Sequence, residues 1–209
     1  MFDAPGHKNY VPNMITGAAL ADYAGLVISA RKGEYEAGFE KDGQTREHVQ
    51  LAKSLGVQKI VVVVNKMDDH SVNWSEARWA EIKTNLLPFL NKSGYKSDDV
   101  FFVPISGLTG DNILEPVGDR CPWYKGPTLI EILDDLPVEN RNQTGPLRIP
   151  ILDKSKEENK ITAFGKIESG MIQVGDGIMI HPQNYPAQVG QILDHKNESV
   201  KFARPGENV

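Results

Sequence analysis

Cysteine is all but absent from this sequence: Cys121 is the single thiol in 209 residues. One thiol forms no internal disulfide and no metal site by itself, which excludes a disulfide-stapled scaffold and points to a reducing compartment. Long apolar runs are missing too. No stretch reaches the ~18 consecutive apolar residues that span a bilayer, and no basic region followed by an apolar core opens the chain as a signal peptide would. Positive charge is not in excess either, with 23 Lys+Arg against 28 Asp+Glu. The electrostatic footprint of a protein that grips nucleic acid across its surface is therefore lacking. No internal repeat or low-complexity segment occurs. The expectation is a soluble cytoplasmic protein with neither membrane nor DNA among its partners.

What remains is a patterned chain. At about 100–200 residues per domain its length allows one large domain or two smaller ones, and the patterns favour two. Short apolar blocks rich in β-branched residues run from Leu26 to Ser29, Ile60 to Val64 and Val100 to Ile105. Such blocks suit strands buried on both faces of a parallel sheet. Between them lie helical spacings at Gln44 to Leu55 and at Ser75 to about Ser93, where Trp79, Ile82, Leu86, Phe89 and Leu90 share one face. One more helix is predicted from Thr128 to Leu136, bounded by Pro127 and Pro137. The alternation predicts an α/β domain over 1–138, a mostly parallel sheet with helices on both faces.

A polar linker follows at 139–146. Beyond it, over 147–209, strand-like runs punctuated by turn residues appear at Leu147–Leu152, Ile161–Ile167, Gly177–Ile180, Ala187–Leu193 and Ser199–Phe202. These predict a small β-barrel. Met1-Phe2 and Gly206 to Val209 read as the ends of cut strands, so the chain is expected to be a fragment with a truncated barrel.

Two runs carry chemistry, Asp3-Ala4-Pro5-Gly6-His7 and Asn65-Lys66-Met67-Asp68. In the first, of the form D-x-x-G, the Asp3 carboxylate can reach a phosphate-bound Mg2+ through water. The Gly6 amide can approach a terminal phosphate too closely for a side chain. In the second, the Asp68 carboxylate can accept from the N1–H and exocyclic amino group of guanine, donors that adenine lacks. Asn65 would tie the base's other edge to a neighbouring loop, and the aliphatic stem of Lys66 would lie over the base. Ser106-Gly107-Leu108 follows a third buried strand, where backbone amides can meet the guanine carbonyl oxygen. Each motif alone is compatible with a solvated turn. Together, in this order, each at the C-terminal edge of a predicted parallel strand, they read as a guanine-nucleotide site.

His7 stands where an imidazole can orient a water for in-line attack on a γ-phosphate; capping of the next helix is the competing role. His48, His70, His181 and His195 have no metal-ligand spacing and read as surface or structural residues. The charged stretch Lys41 to His48 reads as solvated. Trp74, Trp79, Trp123 and Tyr124 read as packing residues, since no basic residues are interleaved with them. No G-x-x-x-x-G-K-[ST] occurs, so the loop that cradles the β-phosphate is missing from the chain. The segment alone is expected to bind nucleotide weakly and to be inactive.

The run Asp3 to Lys8, then Asn13-Met14-Ile15, Gly43 to His48 and Asn65 to Asp68, resembles the translational GTPases of the aminoacyl-tRNA elongation factor type, over essentially the whole chain. Ile28 to Glu34, Gly38-Phe39-Glu40, Ser71 to Ser75, Ser106 to Gly110 and Cys121 to Tyr124 are similar to the branch of class 2 peptide chain release factors. The ribosome-rescue branch and the tRNA-carrying elongation factors are the alternatives; a non-hydrolysing pseudo-GTPase that contacts ribosomes is one of a different class. The resemblance implies a partial P-loop GTPase domain followed by the barrel, and GTP/GDP and Mg2+ as ligands. It also implies hydrolysis in the full-length parent, and as partners the ribosome and a class 1 release factor held mainly by a missing third domain. It makes Asp3 the switch II aspartate, Gly6 the γ-phosphate glycine and His7 the catalytic histidine. Asn65, Lys66 and Asp68 become the guanine readers, with Ser106, Gly107 and Leu108 the remaining base-contact loop. Gly107 stands where many relatives have alanine, and Ser155 to Thr162 departs from the usual glycine-containing turn.

Overall fold

The computed structural model describes residues 21–40, 43–137, 141–157 and 160–209. The chain divides into two compact units, Met1–Pro137 and Val138–Val209.

The first unit is organised by three parallel strands, β1 (Tyr23–Ser29), β2 (Lys59–Asn65) and β3 (Val100–Pro104), in the order β1-β2-β3. In β2, five consecutive residues, Ile60 to Val64, are buried, the pattern of a strand covered on both faces. Its side chains alternate between two cores. Ile60, Val62 and Val64 pack with Tyr35, Val49, Ile82, Leu86 and Leu90, whereas Val61 and Val63 pack with Val103, Ile105 and Ile132. The first group includes residues of α1 (Glu34–Phe39), α2 (Gln44–Ser54) and α3 (Glu76–Lys92); the second takes Ile132 from α4 (Leu129–Asp134). Helices therefore cover both faces of the sheet.

Helix α3 begins where the Ser75 hydroxyl accepts from the Arg78 amide at 3.3 Å, and it buries Ile82, Leu86 and Leu90 at a spacing of four. Helix α4 opens with a reciprocal cap. The Thr128 hydroxyl accepts from the Glu131 amide, and the Thr128 amide donates to the Glu131 carboxylate at 2.8 Å. The aromatic residues pack as a group: Trp79 lies 5.8 Å from Trp123 and 5.9 Å from Tyr124 between ring centroids, and the Trp123 indole donates to the Trp74 carbonyl at 2.7 Å. Cys121 is buried beside them in the same core, and burial raises its thiol pKa.

The second unit is built from two-stranded antiparallel ribbons: β4 (Ile151–Glu157) with β5 (Lys160–Gly165), β6 (Ile172–Gln173) with β11 (Phe202–Ala203), β7 (Gly177–Ile180) with β8 (Tyr185–Gln188), and β9 (Ile192–Leu193) with β10 (Ser199–Val200). They share a core of Ile167, Ile172, Val189, Ile192 and Ala203. Residues 141–146 are hydrogen-bonded into this unit: the Gly170 amide donates to the Asn142 carbonyl and the Ser169 hydroxyl to the Pro146 carbonyl.

Several strand runs differ from the sequence expectation. The first starts at Ile151 rather than Leu147, because Pro146 and Pro150 bring no amide hydrogens; Arg148 makes only an isolated bridge to Ser169. Ala187–Leu193 is two strands, since the chain changes partner around Val189 and Gly190. Ser199–Phe202 likewise divides at Lys201, which leaves the β9 ribbon for β6. Among the described residues no helix is long and apolar enough to cross a membrane.

Two leucines test this core against the surface. Leu86 is 0% exposed and Leu108 is 88% exposed. Leu86→Ala is expected to lower unfolding free energy by about 2–5 kcal/mol through lost contacts and a residual cavity. Leu108→Ala should change it by less than about 0.5 kcal/mol. Urea denaturation of both variants checks the assignment, and equal midpoints would contradict it.

Candidate guanine-nucleotide site

Parallel register brings the two described motifs side by side. Strand β2 ends on Asn65 and β3 ends on Pro104, with Val64 opposite Pro104, so the loops that follow leave the same edge of the sheet. Backbone hydrogen bonds continue the pairing past the strands: the Ile105 amide donates to the Val64 carbonyl at 2.8 Å and the Met67 amide to the Ile105 carbonyl at 3.1 Å. This is the edge of an open α/β sheet at which ligands bind.

One side chain joins the loops. The Asn65 carboxamide oxygen accepts from the Lys66 amide at 2.7 Å and from the Gly107 amide at 2.8 Å. A Cβ on Gly107 would lie 3.2 Å from Asn65 Nδ2 and 3.3 Å from its Oδ1, so an alanine fits there only if the carboxamide yields by a few tenths of an ångström. Ser106 is fully buried; its hydroxyl accepts from the Thr109 amide at 3.1 Å and its carbonyl from the Gly110 amide at 2.9 Å, which shapes 106–110 as a tight turn. The Leu108 side chain stands out of that turn into solvent.

Lys66 has a φ of 63°, a left-handed conformation uncommon for a side chain of this size. Its ammonium lies 2.6 Å from Glu34 Oε2, and this hydrogen bond lowers the Glu34 pKa. Met67 is fully buried and its carbonyl accepts from the Trp74 amide at 2.8 Å, which anchors the loop from below. Asp68 is half-buried, and among the described residues no donor engages its carboxylate. Asp69 next to it is spoken for. Its Oδ1 accepts from the Ser71 hydroxyl at 2.6 Å and amide at 2.9 Å, contacts that lower its pKa.

Arg78, which no sequence motif marks, is 5% exposed and ties this edge together. Its Nε donates to the Ala30 carbonyl at 2.8 Å, its Nη1 reaches Glu36 Oε1 at 2.8 Å and Glu81 Oε2 at 2.9 Å, and its guanidinium lies 5.3 Å from the Tyr35 ring centre. The sole sequence signal was a charge on the helix face next to Ile82. Asp3, Gly6 and His7 lie outside the described residues, so the magnesium and phosphate contacts named for them rest on sequence. Among the described residues no group of three or more His, Cys, Asp or Glu side chains is placed to hold a metal.

The Arg78 contact pulls the Glu36 carboxyl down to about 2 from an ordinary 4.5. A depressed carboxyl stabilises the fold above its unfolded value, and that contribution is lost as pH falls from 4.5 towards 2. Glu36→Gln should therefore be less stable than the parent at neutral pH, by about 1 kcal/mol or less given the exposure of the carboxylate. The difference should close on acidification. Thermal melts of both proteins across that window check it, and a gap independent of pH would contradict it.

Comparison with known proteins places the chain in a family. The elongation factor Tu GTP binding domain matches residues 1–139. The eukaryotic peptide chain release factor GTP-binding subunit of Candida maltosa is 49% identical over 210 residues, covering 100% of this chain and 29% of that protein. Elongation factor 1-alpha of Ignicoccus hospitalis is 45% identical over 212 residues, covering 100% of this chain and 48% of the relative. The structure of Sup35 complexed with GDP is 41% identical at a TM-score of 0.57, covering 99% of this chain and 48% of that one. The chain thus spans less than half of each protein it is compared with here. A match over the whole first unit and these identities lead to one assignment: the chain belongs to the family of the elongation factor Tu GTP-binding domain.

Proposed function

We propose that this chain carries the guanine-reading part of a GTP-hydrolysing factor that acts on the ribosome in the cytoplasm during translation termination and delivers a class 1 release factor. The observation that carries the reading is the Asn65 carboxamide oxygen shared by the Lys66 and Gly107 amides, because one side chain holds together the two loops that must meet on one base. In this reading Asp68 accepts from the guanine N1–H and amino group, the Lys66 stem covers the base, and amides of Ser106 to Leu108 meet its carbonyl oxygen. Asp3 holds Mg2+ through water, the Gly6 amide meets the γ-phosphate and His7 positions the attacking water, which supplies positioning and charge stabilisation rather than covalent chemistry. The second unit is then part of a small β-barrel, of which the antiparallel ribbons are the paired segments.

The 49% identity to a release factor GTP-binding subunit supports termination. The 45% identity to elongation factor 1-alpha supports a second reading, a carrier of aminoacyl-tRNA. Binding to a class 1 release factor or to aminoacyl-tRNA separates the two.

Base recognition is tested by calorimetric titration with GDP, ADP and XDP at up to millimolar nucleotide. The parent chain should prefer GDP over ADP. Asp68→Asn should reverse the preference towards XDP, whose C2 carbonyl accepts where the guanine amino group donates. Losing a charge-assisted hydrogen bond of about 1.5–3 kcal/mol predicts GDP binding weaker by about tenfold or more. GDP affinity unchanged by the substitution would overturn the assignment of Asp68.

A further inference from the structure

We propose that Arg31 and Glu34 position the guanine-reading loop, gripping both flanks of Asp68 and holding the neighbouring cations away from it. The proposal rests on the reading of 65–68 given above. Its basis is a line of four alternating charges joined by three ion pairs between the segment after β1 and the loop after β2, made into a ring by the loop backbone, where the Asp69 amide donates to the Lys66 carbonyl at 3.1 Å. Lys66 Nζ lies 2.6 Å from Glu34 Oε2, Glu34 Oε1 lies 3.2 Å from Arg31 Nη1, and Arg31 Nε lies 3.3 Å from Asp69 Oδ2. Lys66 and Asp69 flank Met67-Asp68, so the ring fixes the loop at its two ends.

Asp68 is the acid the ring leaves out. Two cations of this charge line are engaged elsewhere, Lys66 by Glu34 and Arg31 by Glu34 and Asp69, and no ion pair to Asp68 forms among the described residues. A carboxylate paired with an internal cation would present guanine with a competitor for the same lone pairs; one kept unpaired accepts both base donors at once. The ring is itself anchored from beneath. The buried Arg78 donates to the Ala30 and Arg31 carbonyls, which fixes the backbone from which Arg31 and Glu34 project.

The ring side chains of Arg31, Glu34 and Lys66 are 45%, 40% and 48% exposed. Exposed pairs of this kind contribute little to stability, so the ring acts on loop orientation and charge placement, not on folding. Neither Arg31 nor Glu34 is assigned a contact with nucleotide, which makes both suitable for substitution.

The test is titration of the full chain with GDP for the parent, Glu34→Gln, Arg31→Gln, the double variant and Glu34→Asp, with thermal melts of each. Glu34→Gln releases Lys66 towards Asp68 and should weaken GDP binding about fivefold, close to 1 kcal/mol. Arg31→Gln should weaken it similarly, and the double variant should be no worse than the weaker single one, as expected of parts of one unit. Glu34→Asp, which keeps the charge, should restore most of the affinity. All melting midpoints should match the parent's, and the loss should shrink at high salt, where the competing Lys66–Asp68 attraction is screened. GDP bound equally by parent and variants overturns this proposal and leaves the guanine-site reading standing. Weakened binding that merely follows a lowered melting midpoint also overturns it. A parent chain that shows no preference for GDP over ADP overturns both.

Discussion

Burial of β2 on both faces is the constraint from which the rest of the first unit follows. A strand with Ile60, Val62 and Val64 in one core and Val61 and Val63 in the other has no free face, so its register with β1 and β3 is fixed twice over. A slip of one residue would exchange the two cores. The strand ends on Asn65, so the same constraint that settles packing settles where the carboxamide stands relative to the turn after β3. A side-chain acceptor that serves two backbone amides in two loops needs placement to within a few tenths of an ångström, and rigid strand ends supply it.

Double burial also decides which parts of the molecule are legible in the sequence. A continuous β-branched run such as Ile60 to Val64 suits a doubly buried strand, and its bounds agree to within a residue, whereas β1 begins at Tyr23, three residues before the expected Leu26. The helix at Glu76–Lys92 announced itself by Ile82, Leu86 and Leu90 and by Ser75 before it. The helix at Glu34–Phe39 did not: six residues with Gly38 inside give too little periodicity, and its stability comes from Tyr35 and Phe39 stacking at 5.6 Å and from packing against the sheet. In the second unit, alternation showed where strands run but not with whom. Partner changes at Gly190 and Lys201 are decided by tertiary pairing, which a period of two does not encode.

The site shows the same division. The N-K-x-D pattern proposes Asp68 and not its neighbour Asp69 as the base reader, and the two acids differ in the structure. Asp69 is consumed by Ser71 and Arg31 while Asp68 is left without a donor among the described residues. What no motif announced was the electrostatics around them. Arg31, Glu34, Glu36 and Arg78 come from two segments far apart in sequence, and their roles exist only once β1 and α3 are neighbours.

Those charges work at two depths, and the depth decides what each does. Arg78 is withdrawn from solvent, so every donor it carries must be satisfied, and stripping its partners would leave a buried charge at a cost of several kcal/mol. It is bound to two carboxylates and two carbonyls, and it therefore fixes the 30–36 segment against α3 as a matter of stability. Arg31 and Glu34 project from that fixed backbone into solvent, where ion pairs are weak and exchange readily with water. Weak pairs on a rigid base can set the direction of a loop without locking it, so that in the proposed reading a base can settle beneath the Lys66 stem while its ammonium stays with Glu34. The strong contact lies where the fold needs permanence, and the weak ones lie beside the loop proposed to admit a ligand.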